Sequence, residues 1–380
     1  MNRLSRRRVR LRATCGLIQR FEAAVFEVPL VSVPRAVVAV PARDEELRLP
    51  ILLDALAGQA GLGSSGVNVV VVLNNCQDRS AEVAEQAARR NPRLALTVRN
   101  IKLPPERAHV GEARRIAMDE AAIIAGHGGV ILTTDADATP PPNWISQTLA
   151  AFAAGADLVG GRLVGDPDEE AALGPDFLRR ARSVCRYQDL CDELAALLDP
   201  LPFDPWPRHH DHTGASLAVR ADVYRALGGL EPLPFREDLA FVAKARAGGY
   251  RLRHPPDLHV SISARLDGRA RNGMADCLKA WCAAEAQGLP TFVEDPAAIE
   301  QRLRRRAALR ALDGAPLALV SATLDRLGLS SDLDGDAHPA ALIERHAADD
   351  PEAPQTVLVS DAIATLIDRI AYLRGEFDAA

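Results

Sequence analysis

Four short β-branched runs, separated by segments of helical length, constrain this chain more than any other feature. The runs are Ala36–Val40, Asn68–Leu73, Leu94–Val98 and Gly129–Thr133; between them lie Glu45–Gln59, Ser80–Arg90 and Gly111–Ala125. Each run is apolar almost throughout rather than alternating, as expected of strands buried on both faces. Strand and helix in alternation predict βαβ units and a mostly parallel sheet covered by helices. A fifth run, Ala156–Gly160, comes next, then a charged insertion over residues 166–212 with helical stretches. From about Leu266 the pattern is helical and rich in Ala and Arg, with a loop expected at Ser331–Pro339.

Composition narrows the function classes. At 48% hydrophobic and 25% charged residues, the 380-residue chain has enough apolar material for a sizeable core. No apolar stretch reaches the roughly 20 residues of a membrane span. The net charge of −6 gives no global field for nucleic acid. The exception is the start, where Met1–Arg12 holds six Arg and no acid. Arg20, Glu22 and Glu27 interrupt the stretch from Ala13 to Arg35, so it lacks the apolar core of a secretion signal. The expectation is a basic N-terminal arm over residues 1–34, solvated or weakly docked on an anionic membrane surface. Six Cys without a C-x-x-C pair are expected to be reduced thiols in a cytoplasmic protein, peripheral at the membrane through that arm.

Ligands of open α/β sheets bind beyond the carboxyl ends of the strands. Three runs end in polar loops there: Arg43-Asp44-Glu45-Glu46, Asn74 to Asp78, and Asp135-Ala136-Asp137. Carboxylates at i and i+2 project to the same side of an extended backbone. Asp135 and Asp137 can therefore hold a hard divalent cation, or form a solvated acidic turn. Glu237-Asp238 stands just ahead of a helix over 240–248, where the positive end of the helix dipole favours a carboxylate. Such a group can serve as a general base, or simply as an N-terminal helix charge. His209-His210-Asp211-His212 is rich in metal-ligand types, but adjacent residues rarely converge on one ion.

Taken in order, Val37–Glu46, Val72–Ser80, His109–Arg115, the D-x-D, Thr213–Ser216 and Glu237-Asp238 resemble a family 2 glycosyltransferase. The resemblance implies a GT-A, Rossmann-like α/β fold: a mostly parallel sheet flanked by helices, here with a mainly helical C-terminal extension. The implied division is an arm over 1–34, a nucleotide-sugar domain over 35–262 and a helical region over 263–380. It further implies that Pro41, Arg43, Glu45, Asn74, Asn75 and Asp78 line the nucleotide pocket, and that Arg114 or Arg115 reaches the diphosphate. Asp135 and Asp137 would hold Mg2+ or Mn2+ with the diphosphate, joined by His259 as a further ligand. Asp238 would deprotonate the acceptor hydroxyl, giving inversion, with Gly214 and Glu237 at the substrate. The basic loop Ser261–Arg269 is expected either to close over the diphosphate or to be a surface turn. The implied partners are a nucleoside-diphosphate sugar and a hydroxyl acceptor.

Three other readings stand beside this one. Asp135-Ala136-Asp137-Ala138-Thr139 also fits the D-x-D-x-T of aspartate-nucleophile phosphatases, although at least three strands precede it. A sugar nucleotidyltransferase would want a Gly-rich loop after the first strand, where Pro41-Ala42-Arg43-Asp44-Glu45 stands. A catalytically inactive nucleotide-binding relative would not need Asp135, Asp137 and Asp238 intact.

Overall fold

The computed structural model describes residues 34–62, 66–270, 273–329, 338–349 and 353–378. All but Pro34 of the expected basic arm, and with it the membrane contact, lies outside the described residues, as does most of the loop expected at 331–339. The first half runs β1 (Ala36–Ala42), α1 (Leu49–Ala57), β2 (Val67–Asn74), α2 (Ser80–Arg90), β3 (Leu94–Ile101), α3 (Val110–Ala125), β4 (Val130–Thr133), β5 (Ala138–Thr139), α4 (Trp144–Ala153), β6 (Leu158–Gly160) and β7 (Arg162–Gly165). Then come α5 (Pro167–Ala172), α6 (Pro175–Leu198), β8 (Leu217–Arg220), α7 (Ala221–Ala226), α8 (Glu237–Ala247), β9 (Leu252–Arg253) and β10 (His259–Ile262). The remainder is α9 (Met274–Ala286), β11 (Phe292–Glu294), α10 (Pro296–Arg310), α11 (Leu317–Leu327), α12 (Pro339–His346), β12 (Thr356–Leu358) and α13 (Val359–Asp378).

The central sheet has the order β3-β2-β1-β4-β8-β6-β9. Only β8 runs against its neighbours, so the start of β8 meets the carboxyl ends of β4 and β6 at one rim. Alternation along β1 explains the two layers of core. Val38 and Val40 face α1, α2 and α4, packing with Leu52, Leu56 and Trp144. Val37 and Ala39 face α3 and α8, packing with Ala117, Met118 and Phe241. The strands thus carry an apolar residue at nearly every position because both faces are covered.

The α1 helix begins at Leu49, four residues later than the expected segment. Pro50 occupies its first turn, where a missing N–H costs nothing, and the polar stretch before it forms a turn held by Glu45. A three-stranded sheet, β5-β10-β7, brings β10 alongside the residues just beyond the D-x-D. The C-terminal helices are not a separate ball. Leu190 and Leu194 of α6 share one apolar cluster with Ile299 and Leu303 of α10 and Leu366 and Ile370 of α13. Among the described residues, no helix is long and apolar enough to cross a membrane.

Candidate active site

Two polar frameworks at the rim hold most of the sequence-predicted residues. The first fixes the loops after β1 and β2. Asp78 accepts hydrogen bonds from the Ser80 N–H and hydroxyl through Oδ1 and from the Glu46 N–H through Oδ2 (2.8 Å). Although burial opposes it, these bonds hold the Asp78 carboxyl below the usual range. Asn75, at a positive φ of 54°, exchanges two hydrogen bonds with the Leu103 backbone, and Asn74 donates to the His109 carbonyl. Arg43 donates to the Ala108 carbonyl (2.9 Å), while Pro41 stays in the ladder opposite Val72. Asp44, Cys76 and Asp78 bring potential ligand atoms within 4.8 Å of one another. Loop hydrogen bonds already engage this trio, and burial pushes the Cys76 thiol up, away from the thiolate that binds metal.

A cavity of about 280 Å³ opens beside this framework, lined by Glu45, Asp78, Arg48, Arg265 and Arg269 among others. Glu45 is buried, and both its carboxylate oxygens are held by the Arg265 guanidinium. The same guanidinium reaches Asp137 Oδ2 at 2.9 Å. Glu169 of α5 clasps the loop that carries it, accepting from the Ser263 hydroxyl (2.7 Å) and the Ala264 N–H (2.8 Å). The basic loop therefore lies over the strand ends, on the side of the acidic groups.

The second framework is centred on Arg114, which α3 delivers beneath the rim at 3% exposure. Its Nε donates to Glu237 Oε1 (2.9 Å), one terminal nitrogen to Thr133 Oγ1 and the Gly214 carbonyl (2.9 Å each), and the other to Asp135 Oδ1 (2.8 Å). Burial opposes the charge, but the carboxylates of Asp135 and Glu237 outweigh it and raise the Arg114 pKa. Gly214 is required at this spot because a Cβ there would lie 2.3 Å from the guanidinium carbon. The Gly214 N–H donates in turn to Asp238 Oδ2, and Asp238 Oδ1 accepts from the Leu239 N–H (2.8 Å) at the start of α8. One buried cation thus ties the D-x-D, the β8 approach and the α8 acidic pair together.

Four hydrogen bonds to protein groups occupy the Arg114 guanidinium. Arg115 points elsewhere, pairing with Glu112 (2.7 Å) and Asp119 (2.9 Å). His259 is exposed at the head of β10, its ring beside the Asp257 carbonyl; the group of that strand and loop that reaches Asp137 is Arg265. Burial, with the Asp135 carboxylate adding to it, raises the Asp137 pKa to about 6 despite Arg265. Such crowding of oxygen ligands, with Glu45 also contributing, is what a hard divalent cation would relieve, so these residues fit one.

Comparison with known proteins bears on the first four of the motifs, from Val37–Glu46 to the D-x-D. Residues 37–192 match the family model described as glycosyl transferase family 2. No curated protein sequence matches the chain. Among solved structures, a mannosyltransferase of Pyrobaculum calidifontis in complex with GDP-Man and Mn2+ is similar at 18% identity and a TM-score of 0.44, covering 88% of this chain and 87% of that one. TarS of S. aureus in complex with UDP-GlcNAc is similar at 16% identity and a TM-score of 0.46, covering 83% and 89%. Glucosyl-3-phosphoglycerate synthase of Mycobacterium tuberculosis is similar at 14% identity and a TM-score of 0.38, covering 68% and 81%. Over residues 37–192 the chain thus carries the sequence pattern of glycosyl transferase family 2.

Proposed function

We propose that the chain moves a sugar from a nucleoside-diphosphate donor to an acceptor hydroxyl with inversion at the anomeric carbon. The observation that carries this reading is the Arg114 framework, which links the D-x-D carboxylate Asp135 to the loop and helix start that hold Asp238. The nucleotide lies in the cavity of Glu45 and Asp78, and its diphosphate reaches toward Asp135 and Asp137. Asp135 and Asp137 would hold a divalent cation, Mg2+ or Mn2+, which when bound offsets charge on the leaving nucleoside diphosphate.

Asp238 is oriented by two backbone N–H groups and presents its remaining lone pairs to an acceptor. It takes the proton of the acceptor hydroxyl as that oxygen bonds to the anomeric carbon. The bond from that carbon to the diphosphate oxygen breaks on the opposite face, and its electron pair leaves with the nucleoside diphosphate. Arg265 is released from Glu45 and Asp137 when the donor enters and turns its fork to the diphosphate. The phosphatase alternative asks for a free Asp135 nucleophile, and the hydrogen bond from buried Arg114 opposes that.

The test is the melting temperature of wild type and Asp137→Ala with UDP, GDP, dTDP and CDP, each with and without Mn2+ or Mg2+. Ligand that binds the native state raises the transition by mass action. One nucleotide is expected to act only with metal and only on wild type. Equal shifts in the variant would remove Asp137 from the donor site, and no shift with any pair would overturn the reading.

A further inference from the structure

A cavity of about 460 Å³ lies where the edge strand β9 and the loop before β8 meet α6, α10 and α12. Its volume falls in the range of small-molecule sites, roughly 300–1,000 Å³. It is separate from the cavity of Glu45 and Asp78, with no lining residue in common. The Arg246 and Arg306 guanidiniums line it, and both donate to the one carboxylate of Asp349. Arg306 is 8% exposed, whereas the Asp349 side chain is 48% exposed. A half-exposed carboxylate thus holds two sheltered cations.

Two residues of the wall also own buried donors without a hydrogen-bond acceptor. His209 is 4% exposed, and its Nδ1 accepts the Asp211 N–H (3.1 Å). Burial, with His254 nearby, pushes its pKa down to about 3, so the ring is neutral and its proton sits on Nε2. That Nε2–H has no hydrogen-bond partner. Neither does Nε of Arg306, which has Asp199 Oδ2 at 3.4 Å but no hydrogen bond to it. A buried donor left unsatisfied is costly, and two of them on residues of one cavity wall point to a missing acceptor. Polar interface packing alone accounts for Asp199 with Arg310 and Glu344 with Arg246, but not for these two groups.

We propose that this cavity binds a small phosphate- or carboxylate-bearing molecule, whose oxyanion takes the place of the Asp349 carboxylate between Arg246 and Arg306. Forked guanidiniums match an oxyanion, and the lining acids Asp192, Asp199, Asp204 and Glu344 are already engaged by His210, Arg310, His254 and Arg246. The site communicates with the proposed chemistry through a short segment. His209 and His212 line the cavity, and Gly214, two residues beyond His212, donates to Asp238 and accepts from Arg114.

Inorganic phosphate titrated calorimetrically into the full chain at constant ionic strength tests this directly. Asp349→Asn is expected to bind phosphate more tightly than wild type, because a competing carboxylate has gone. Arg306→Gln and His209→Phe are expected to bind it about tenfold or more weakly. If Arg306→Gln fails to fold, Asp349→Asn and His209→Phe decide the matter. Heat that is unchanged by Asp349→Asn and His209→Phe, or that disappears in Arg265→Gln instead, places phosphate at the strand ends and overturns the proposal. Calorimetry reads occupancy and not turnover, so its failure leaves the glycosyl-transfer reading standing, and the reverse also holds. With donor present, glycerol phosphate that becomes glycosylated identifies the occupant as the acceptor's anionic end. Glycerol phosphate that binds and is recovered unchanged identifies an effector.

Discussion

Asp137 is held against its own preference. Burial and the Asp135 carboxylate raise its pKa from the usual carboxylate range to about 6, even with Arg265 at 2.9 Å. A raised folded-state value means that the protonated form is favoured by folding. Its contribution to stability is therefore fully present below about pH 4 and lost as pH rises through about 6. Asp137→Asn is expected to raise the stability at pH 8 by about 1–3 kcal/mol, read as a higher melting temperature, with the difference vanishing near pH 4. The same variant is expected to lose metal-dependent stabilisation by nucleotide. A lower melting temperature at pH 8 would mean that the ion pair with Arg265 outweighs the crowding. How much of this was legible depends on the residue. Asp135 and Asp137 stand out in sequence because they directly follow a buried strand. The jobs of Arg114 and Arg265 do not, because their carboxylate partners Glu237 and Glu45 lie 123 and 220 residues away. A guanidinium two residues beyond a glutamate looks the same in sequence whether it meets a diphosphate or a buried acid.

At the level of elements, α3 does more than cover the sheet. Its first turn packs so closely on the loop before α8 that a Cβ on Gly111 would lie 1.9 Å from the Leu233 carbonyl oxygen. That loop leads through Arg236, at a positive φ of 60°, into Glu237 and Asp238. Gly111→Ala must move backbone, not a flexible side-chain end, and the displaced backbone carries the proposed base. Overpacking of this kind costs about 1–3 kcal/mol. A displacement near 1 Å at a reacting group costs about 100-fold in rate. The expected result is a fall in kcat of that order with donor KM much less affected, since the Glu45–Asp78 cavity is built from other loops. A normal kcat would detach this loop from catalysis. Elements such as β1 and β2 were legible because their valine-rich, almost wholly apolar runs leave few alternatives. The β11–β12 pair was not, since each strand has three residues and their partners are joined only by long-range register, Phe292 with Leu358 and Glu294 with Thr356.

The whole molecule from Pro34 onward forms one compact unit, and the reason is visible at its seam. The α6 helix starts within the family-matched segment yet buries Leu190 and Leu194 against α10 and α13. Acid should therefore act on the molecule as a whole through the histidines at that seam. His209 is driven to about 3 by burial, and His212 is also lowered well below its ordinary value, again chiefly by burial. Both are neutral when folded, whereas unfolded imidazoles take up protons below about 6.5. The unfolded state then binds more protons, so stability is lost as pH falls from about 6.5 toward 3. One such histidine costs about 2 kcal/mol between pH 6.5 and 5. Asp137 works in the opposite direction over part of the same range, so the wild-type profile shows only the difference. In the Asp137→Asn background that opposition is removed, and the melting temperature is expected to fall steeply from pH 7 to 5. Adding His209→Phe should flatten the fall by one proton's worth, because phenylalanine fills the buried site without titrating. An unchanged slope would show that His209 is protonated in the folded state, with an acceptor for Nε2 that closes the gap in the cavity wall.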